Sequence, residues 1–373
     1  MTSDLHILQT CFSPSWGGLE MQALEISLNL RDRGHTLWLA TLPGSRLAEE
    51  AQRLHITTLA LPVSGYVHPR LVGRLARFLR RENIQIIHCQ HSRDIATLVP
   101  AMQLSGRPVP IVLSKRMGSS VSKKDLFHRY TYRHVRRVLA ISNVIHRNVL
   151  ATTPVTPDRV ITFSDAVDLQ RFTLSPGQRR FTRNAFGVHE HTVLIGFVGR
   201  MSPGKGHEEL LQAARLLRDR GSTARFLVVG DASHGEEEYA RTIRTLAHTL
   251  GMQDGVTFAG YRADIPAVMA SFDILAFPSH AESFGVVLIE AMAMGLPVVS
   301  TNSDGVVDIV VDGLTGIMVP PRDAGALADG LERLIGDPEL RERMGRAGRA
   351  RAEEHFDREK QIIRLEQLYR ELQ

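Results

Sequence analysis

Cysteine is almost absent from this chain. The two present, Cys11 and Cys89, sit in apolar, strand-like runs. Two scattered thiols make neither a metal-ligand pattern nor a disulfide framework, so a reducing cytoplasm is the expected setting. Long apolar runs are also missing. None approaches the roughly 18 residues of a membrane-spanning helix, and Met1–His6 has no basic stretch leading into an apolar core, so no signal peptide is expected. No G-x-G-x-x-G follows the first strand-like segment, which disfavours a Rossmann dehydrogenase. Aromatic residues make up only 6% and do not interleave with the basic ones. With no zinc or RNP-type pattern either, nucleic acid is not an expected partner.

What is present is ordinary globular material: 373 residues, 43% hydrophobic and 23% charged, a length that suggests two domains. The charge is uneven. Residues 1–172 hold 22 Lys and Arg against 12 Asp and Glu, a net of +10, while the remainder is net −5. Much of the excess lies in two runs, Arg70 to Arg81 and Lys115 to Arg137. Solvated helix faces would explain part of it, and an anionic membrane surface or phosphorylated glycolipid would explain the rest.

Short apolar strands alternate with helices throughout, the pattern of a parallel doubly wound sheet. In the first half the expected strands are Leu5–Thr10, Thr36–Thr41, Ile84–His88, Ile111–Leu113 and Val138–Ile141. Expected helices include Leu19–Arg33, with Met21, Leu24, Leu28 and Leu30 inward, and the basic helix His68–Arg81. The pattern lapses from Phe163 to Phe181, a linker. A second series follows, with strands Val193–Val198, Arg225–Val229, Val256–Ala259, Ile274–Phe277 and Pro297–Ser300. The domains are expected at 1–168 and 169–355, each doubly wound, with a ligand cleft between their strand ends. The tail 356–373 carries Ile362, Leu365, Tyr369 and Leu372 at helical spacing.

The stretch SHAESFGVVLIEAMAMG, Ser279–Gly295, concentrates the chemistry. Glu282 lies in a strand-to-helix loop, where open α/β sheets bind ligands. Glu290 falls inside a helix expected to run from near Ser283 to Gly295, among apolar neighbours. A carboxylate there needs a partner, and the hydroxyls of a ribose or sugar would serve. An exposed helix glutamate beside an unrelated loop glutamate is the plainer alternative. Gly199–Gly206 (GRMSPGKG) follows another strand and opens a helix, so its glycines, Arg200 and Lys205 suit a diphosphate. Gly17-Gly18 precedes a helix with Glu20 in its first turn. Gly230-Asp231 and Gly260-Tyr261-Arg262 lie at strand ends.

These motifs together resemble the retaining glycosyltransferases of family 4, which have the GT-B fold of two facing Rossmann-like domains. The E-x7-E element matches over about twenty contiguous positions. The resemblance implies that Glu290 holds the nucleotide ribose, that Glu282 lies at the transferred sugar, and that Arg200 and Lys205 hold the donor diphosphate. It places Gly17, Gly18, Gly230, Tyr261, Arg262, Ser283, Phe284, Gly285 and Val286 around the donor, and sends the tail helix back to the first domain. It implies donor binding by the second domain and acceptor binding by the first. The family's usual histidine after the Ile111–Leu113 strand is replaced by Ser114-Lys115-Arg116, with His88, His91 and His128 nearby. No Asp-x-Asp pair occurs, so transfer without a metal or other cofactor is expected, with the cations neutralising the diphosphate.

The expected activity is transfer from a nucleotide-diphosphate sugar, a UDP-sugar, to a glycan or glycolipid in lipopolysaccharide or other cell-surface polysaccharide synthesis. The setting is cytoplasmic, with peripheral contact to an anionic inner membrane. A GT-B nucleotide-sugar epimerase and a non-catalytic nucleotide-sugar binder remain as alternatives.

Overall fold

A computed structural model describes residues 4–63, 69–173 and 176–373. The chain forms two compact units. One comprises Met1–Ser164 with Lys360–Gln373, and the other Asp165–Glu359.

The first unit is built on seven parallel strands: β1 (His6–Cys11), β2 (Thr36–Thr41), β3 (Thr57–Ala60), β4 (Ile86–Cys89), β5 (Ile111–Lys115), β6 (Val135–Ala140) and β7 (Val160–Thr162). Their order is β3-β2-β1-β4-β5-β6-β7. Strands covered by helices on both faces must be apolar throughout, and Ile7, Leu8, Ile86, Ile87, Ile111 and Val112 are fully buried. The winding direction reverses between β1 and β4, which opens a crevice at their carboxyl ends. Thr10 pairs with Cys89 across that junction. Cys11 therefore points to the opposite face from Cys89, and both thiols are free and buried.

The helix Arg358–Glu371 completes this unit. Ile362, Leu365, Leu368 and Tyr369 pack in one cluster with Leu5, Ile7, Leu24 and Leu30. Polar contacts fix its register. Glu366 accepts from Arg33 Nε at 2.8 Å. Leu5 N–H donates to His35 Nδ1 at 3.2 Å, so His35 is protonated on Nε2, which donates to Glu366 Oε1 at 2.8 Å. The Tyr369 hydroxyl bonds His88 Nδ1 at 2.6 Å, while His88 Nε2 bonds Ser114 Oγ at 2.8 Å.

The second unit has six parallel strands: β8 (Leu194–Val198), β9 (Arg225–Val229), β10 (Val256–Gly260), β11 (Ile274–Phe277), β12 (Val298–Thr301) and β13 (Gly316–Val319). Their order is β10-β9-β8-β11-β12-β13, with the reversal between β8 and β11. Its core gathers Phe197, Leu210, Leu211, Ile243, Val299 and Leu331.

Several expectations need correction. The unit boundary falls at Ser164/Asp165 and returns at Glu359/Lys360. Residues 165–168 join the second unit because Val167 exchanges backbone hydrogen bonds with Phe356 and Arg358, and Asp168 pairs with Arg358 at 2.9 Å. The stretch read as linker already contains the start of a helix, Pro176–Ala185. Met21 is not inward but 49% exposed; the buried face of Gly18–Asp32 is Glu20, Ala23, Leu24, Ser27 and Leu30. The basic helix is Pro69–Arg81, and His68 lies outside the described residues. β3, β7 and β13, each three or four residues long, were absent from the strand pattern.

Candidate functional site

The second-unit site is assembled at the β8/β11 reversal. Gly199–Gly206 leaves β8, Pro278–Gly285 leaves β11, and Asn302–Gly305 leaves β12. These three loops interlock through the backbone. His280 N–H donates to Gly204 O at 2.8 Å, and Gly305 N–H donates to Glu282 O at 2.8 Å. Gly206 (φ +81°) permits the first contact, since a Cβ there would lie 2.2 Å from Pro278 O. The Thr301 hydroxyl donates to Ser279 O at 2.6 Å.

The interlock brings Lys205 Nζ onto Glu282 Oε1 as an ion pair, both side chains partly open to solvent. Arg200 lies exposed in the same loop and donates to Ser233 Oγ at 3.2 Å. Gly230 (φ +131°) lies against Gly199 O and donates its N–H to Gly260 O at 2.8 Å, so the loops after β8, β9 and β10 are also tied. Ser283 is half-buried and Phe284 buried, with its ring edge-on to Phe356 at 6.0 Å. Gly285 (φ +114°) starts the helix Val286–Ala293, three residues later than the spacing predicts, because the chain turns left-handed there. Val286 and Glu290 are both half-buried on that helix. Tyr261 and Arg262 stand apart. Tyr261 is 75% exposed, and Arg262 is engaged with Asp264 at 2.6 Å.

Gly17 and Gly18 lie in the first unit. Gly17 N–H donates to Glu20 Oε2 at 2.8 Å, so the Gly-Gly-x-Glu pattern is a helix-start cap and Glu20 is buried by it. The crevice side of the same sheet is cationic. Lys115 ends β5, and His91 and Arg93 follow β4. Lys123 Nζ donates to Ser92 Oγ at 3.2 Å. Burial, and then Lys123, pushes the Lys115 ammonium down to about 8. Burial, then Arg93, Lys115 and Lys123, holds His91 below its ordinary value. Groups that depress one another this way share a small space and would each gain from a bound anion.

Of the three histidines near the family's usual position, His88 is out of reach of any ligand. It is fully buried, held between Tyr369 and Ser114, and burial lowers it to about 3. His128 is taken by Asp125 at 2.5 Å. His91 remains at the crevice.

Residues 16–171 match the family described as Glycosyltransferase Family 4, and residues 178–351 match Glycosyl transferases group 1. This chain belongs to the family 4, group 1 glycosyltransferases. It is 38% identical over 221 residues to a D-inositol 3-phosphate glycosyltransferase of Saccharomonospora viridis, covering 58% of this chain and 51% of that one. The chain thus spans about half the length of this relative and of the one from Gordonia bronchialis, and 85% of the inositol-phosphate relative from Kribbella flavida, at 28% identity. It is 29% identical to an alpha-D-kanosaminyltransferase of Streptomyces kanamyceticus, over 81% of this chain and 83% of that protein. The solved structure of Anabaena HepE in complex with UDP superposes with a TM-score of 0.88 over 98% of this chain and 99% of that one, at 23% identity. The two units therefore have the Rossmann-like architecture of the two halves of the GT-B fold.

Three residues at the glycosyltransferase's second-unit site escape motif reading. His280 Nε2 bonds Glu209 Oε1 at 2.9 Å, and Arg322 Nε donates to His280 Nδ1 at 3.2 Å. His280 is thereby held between a carboxylate and a guanidinium, two positions before Glu282. Its partners are 71 and 42 residues distant, beyond any local pattern.

Proposed function

We propose that this protein is a retaining hexosyltransferase. It moves a sugar from a UDP-sugar to an anionic glycan or glycolipid, in the synthesis of lipopolysaccharide or another cell-surface polysaccharide. The observation that carries this is the meeting of Lys205 and Glu282 at the β8/β11 reversal, with Arg200 in the same loop. Two cations beside a carboxylate match the two halves of such a donor. Arg200 and Lys205 neutralise the diphosphate as it leaves, which makes transfer independent of metal. Glu282 accepts hydroxyls of the sugar, and Glu290 the ribose hydroxyls. In the retaining reaction the acceptor hydroxyl attacks on the face the diphosphate leaves, and the departing phosphate oxygen takes its proton. UDP is favoured by its presence in the Anabaena relative's structure.

The first unit takes the acceptor. Lys115, Lys123, Arg93 and His91 at its crevice favour an anionic group, in keeping with the inositol phosphate in its relatives' names. An anionic glycolipid is met at a membrane surface, so peripheral association on the cytoplasmic face belongs to this reading.

Melting of the protein with UDP-, GDP-, ADP- and CMP-sugars in excess EDTA tests the donor. UDP-sugar at a hundredfold excess over its dissociation constant adds about 2.7 kcal/mol of stability. Sugar transfer persists under chelation. Stabilisation by another nucleotide sugar alone, or activity restored only by added magnesium or manganese, would overturn the donor or the metal assignment respectively.

A further inference from the structure

An exposed leucine by itself means nothing on a protein surface. Four large apolar side chains exposed within one short segment, surrounded by cations, are a different observation. Met117 is 61% exposed, Val121 66%, Leu126 84% and Phe127 42%. All lie in the first unit, between the end of β5 and the first turn of the helix Leu126–Tyr132.

The backbone that presents them is fixed. Ser119 N–H donates to Asn148 Oδ1 at 2.8 Å, and Asn148 Nδ2 returns a bond to Ser119 O at 3.1 Å. Lys123 N–H donates to Thr152 O at 2.7 Å, and Asp125 caps the helix by accepting from His128 N–H at 3.1 Å. Beside the apolar residues lies an open groove of about 570 Å³ lined by Lys124, Arg129, Arg133 and Arg159, with no acidic side chain among its described lining residues. Arg159 Nη1 is anchored on Arg133 O at 3.1 Å, and Arg129 Nε on Lys124 O at 2.9 Å. Each guanidinium keeps further donors for a ligand.

The other basic run makes the contrast. On Pro69–Arg81 the arginines 70, 74, 77, 80 and 81 are exposed, but Val72, Leu75, Ala76, Phe78 and Leu79 face the core. That helix also borders an open groove of about 840 Å³, lined by Arg74, Arg77, Arg80 and Arg81, but among the described residues it presents no exposed large apolar side chain, so salt screens what it offers. Apolar teeth beside a cationic groove are what an interfacial element needs, one part for the acyl boundary and one for the headgroups.

We propose that residues 117–133, with Arg159, form the surface by which this glycosyltransferase docks on an anionic phospholipid leaflet. Met117, Val121, Leu126 and Phe127 enter the interface, and the Lys124/Arg129/Arg133/Arg159 groove takes a lipid phosphate. This rests on the reading that the acceptor is met at a membrane. Lys115 and Lys123, at the start of the same segment, then sit next to the bilayer surface, where a lipid-linked acceptor carries its sugar.

The test is co-sedimentation with phosphatidylcholine vesicles with and without phosphatidylglycerol, at low and raised salt. The proteins are the full chain, Leu126→Asp, Arg129→Glu/Arg133→Glu, and Arg74→Glu/Arg77→Glu. Melting of each variant, and its UDP-sugar hydrolysis in the absence of vesicles, confirm folding and an intact donor site. The wild type binds anionic vesicles and keeps a salt-resistant fraction. Leu126→Asp loses that fraction, and the Arg129/Arg133 pair reduces partitioning at least about tenfold, while Arg74/Arg77 retains it. Wild-type binding that Leu126→Asp leaves unchanged, or that only the Arg74/Arg77 pair abolishes, overturns this surface but not the membrane reading. A wild type that binds no vesicle at low salt overturns both.

Discussion

At the scale of the residue, the Lys205–Glu282 pair poses a competition. In the free protein the two satisfy each other. Under the proposed function, a bound diphosphate would claim the ammonium and release Glu282 toward the sugar. The pair is partly solvated, so its net strength is modest, about 0.2–1 kcal/mol. Glu282→Gln is therefore expected to tighten UDP alone about two- to fivefold while cutting kcat/KM for transfer by about 100-fold. Calorimetry with UDP and steady-state rates separate these; weaker UDP binding in a folded variant would contradict the competition. Lys115 gives a second expectation, with a sign. It is cationic below about pH 8 and neutral above. KM for an anionic acceptor should rise as pH climbs past that value. Lys115→Met should hold KM high and flat across the range, and Lys115→Arg should carry low KM to higher pH. The UDP-sugar hydrolysis profile is the control. Arg200, Lys205, Glu282 and Glu290 stand out in the sequence by their spacing within one loop or helix, and of these the structure brings Lys205 and Glu282 into contact. His280 with Glu209 and Arg322 was not, because its meaning lies in contacts between distant segments.

At the scale of the element, the strands were the most readable. β2, β9 and β11 fall at the residues their apolar runs mark. Edges were less so. The helix after β11 begins at Val286 and not near Ser283, because Gly285 adopts a left-handed turn that composition does not announce. The missed strands β3 and β7 lie at the two ends of the first sheet and β13 at one end of the second; β3 (TTLA) and β7 (VIT) are diluted by threonine and β13 (GIMV) opens on glycine, so none shows the unbroken apolar run of β11 (ILAF). The helix Arg358–Glu371 supplies the stability prediction. Tyr369→Phe leaves the buried His88 Nδ1 without its partner and should cost about 1–3 kcal/mol. His88 itself sets an acid limit. Its pKa falls from 6.5 to about 3 on folding, so below about pH 6.5 the unfolded chain takes up a proton that the folded chain refuses. Its contribution is full above that pH and declines as pH falls, by about 1.4 kcal/mol per pH unit. Urea melts of the wild type and His88→Asn from pH 7 to 4 measure the difference; parallel pH curves would remove His88 as the cause.

At the scale of the molecule, the alternation of strands and helices matches two parallel, doubly wound sheets, while the division between the compact units lies at Ser164/Asp165, inside the stretch read as linker and not at 168/169. Sequence patterning alone does not show that the last residues belong to the first unit. The apolar spacing of Ile362, Leu365 and Tyr369 marks a face to be covered, not what covers it; the packing against Leu5, Ile7 and Leu24 supplies that. Fragments should therefore behave unequally. Residues 165–359, contiguous and complete, are expected to melt cooperatively and to bind UDP. Residues 1–164 should expose the face meant for Ile362, Leu365, Leu368 and Tyr369, aggregate, and regain solubility with a peptide of residues 358–373. A monomeric, cooperatively melting 1–164 fragment would show the helix to be dispensable.

The same discontinuity reorders events on the ribosome. Synthesis proceeds at about 5–20 residues per second, and domains generally fold as units from the N-terminal end. Here the earlier-made unit is expected to close its core only after the helix Arg358–Glu371 has emerged, while the later-made unit has the residues it needs by then. Of these two units, the one translated earlier is thus expected to be finished later. Until that helix arrives, the apolar residues of β1 and of the helix Gly18–Asp32 that it covers are expected to stay open, and a chaperone would have that face to hold.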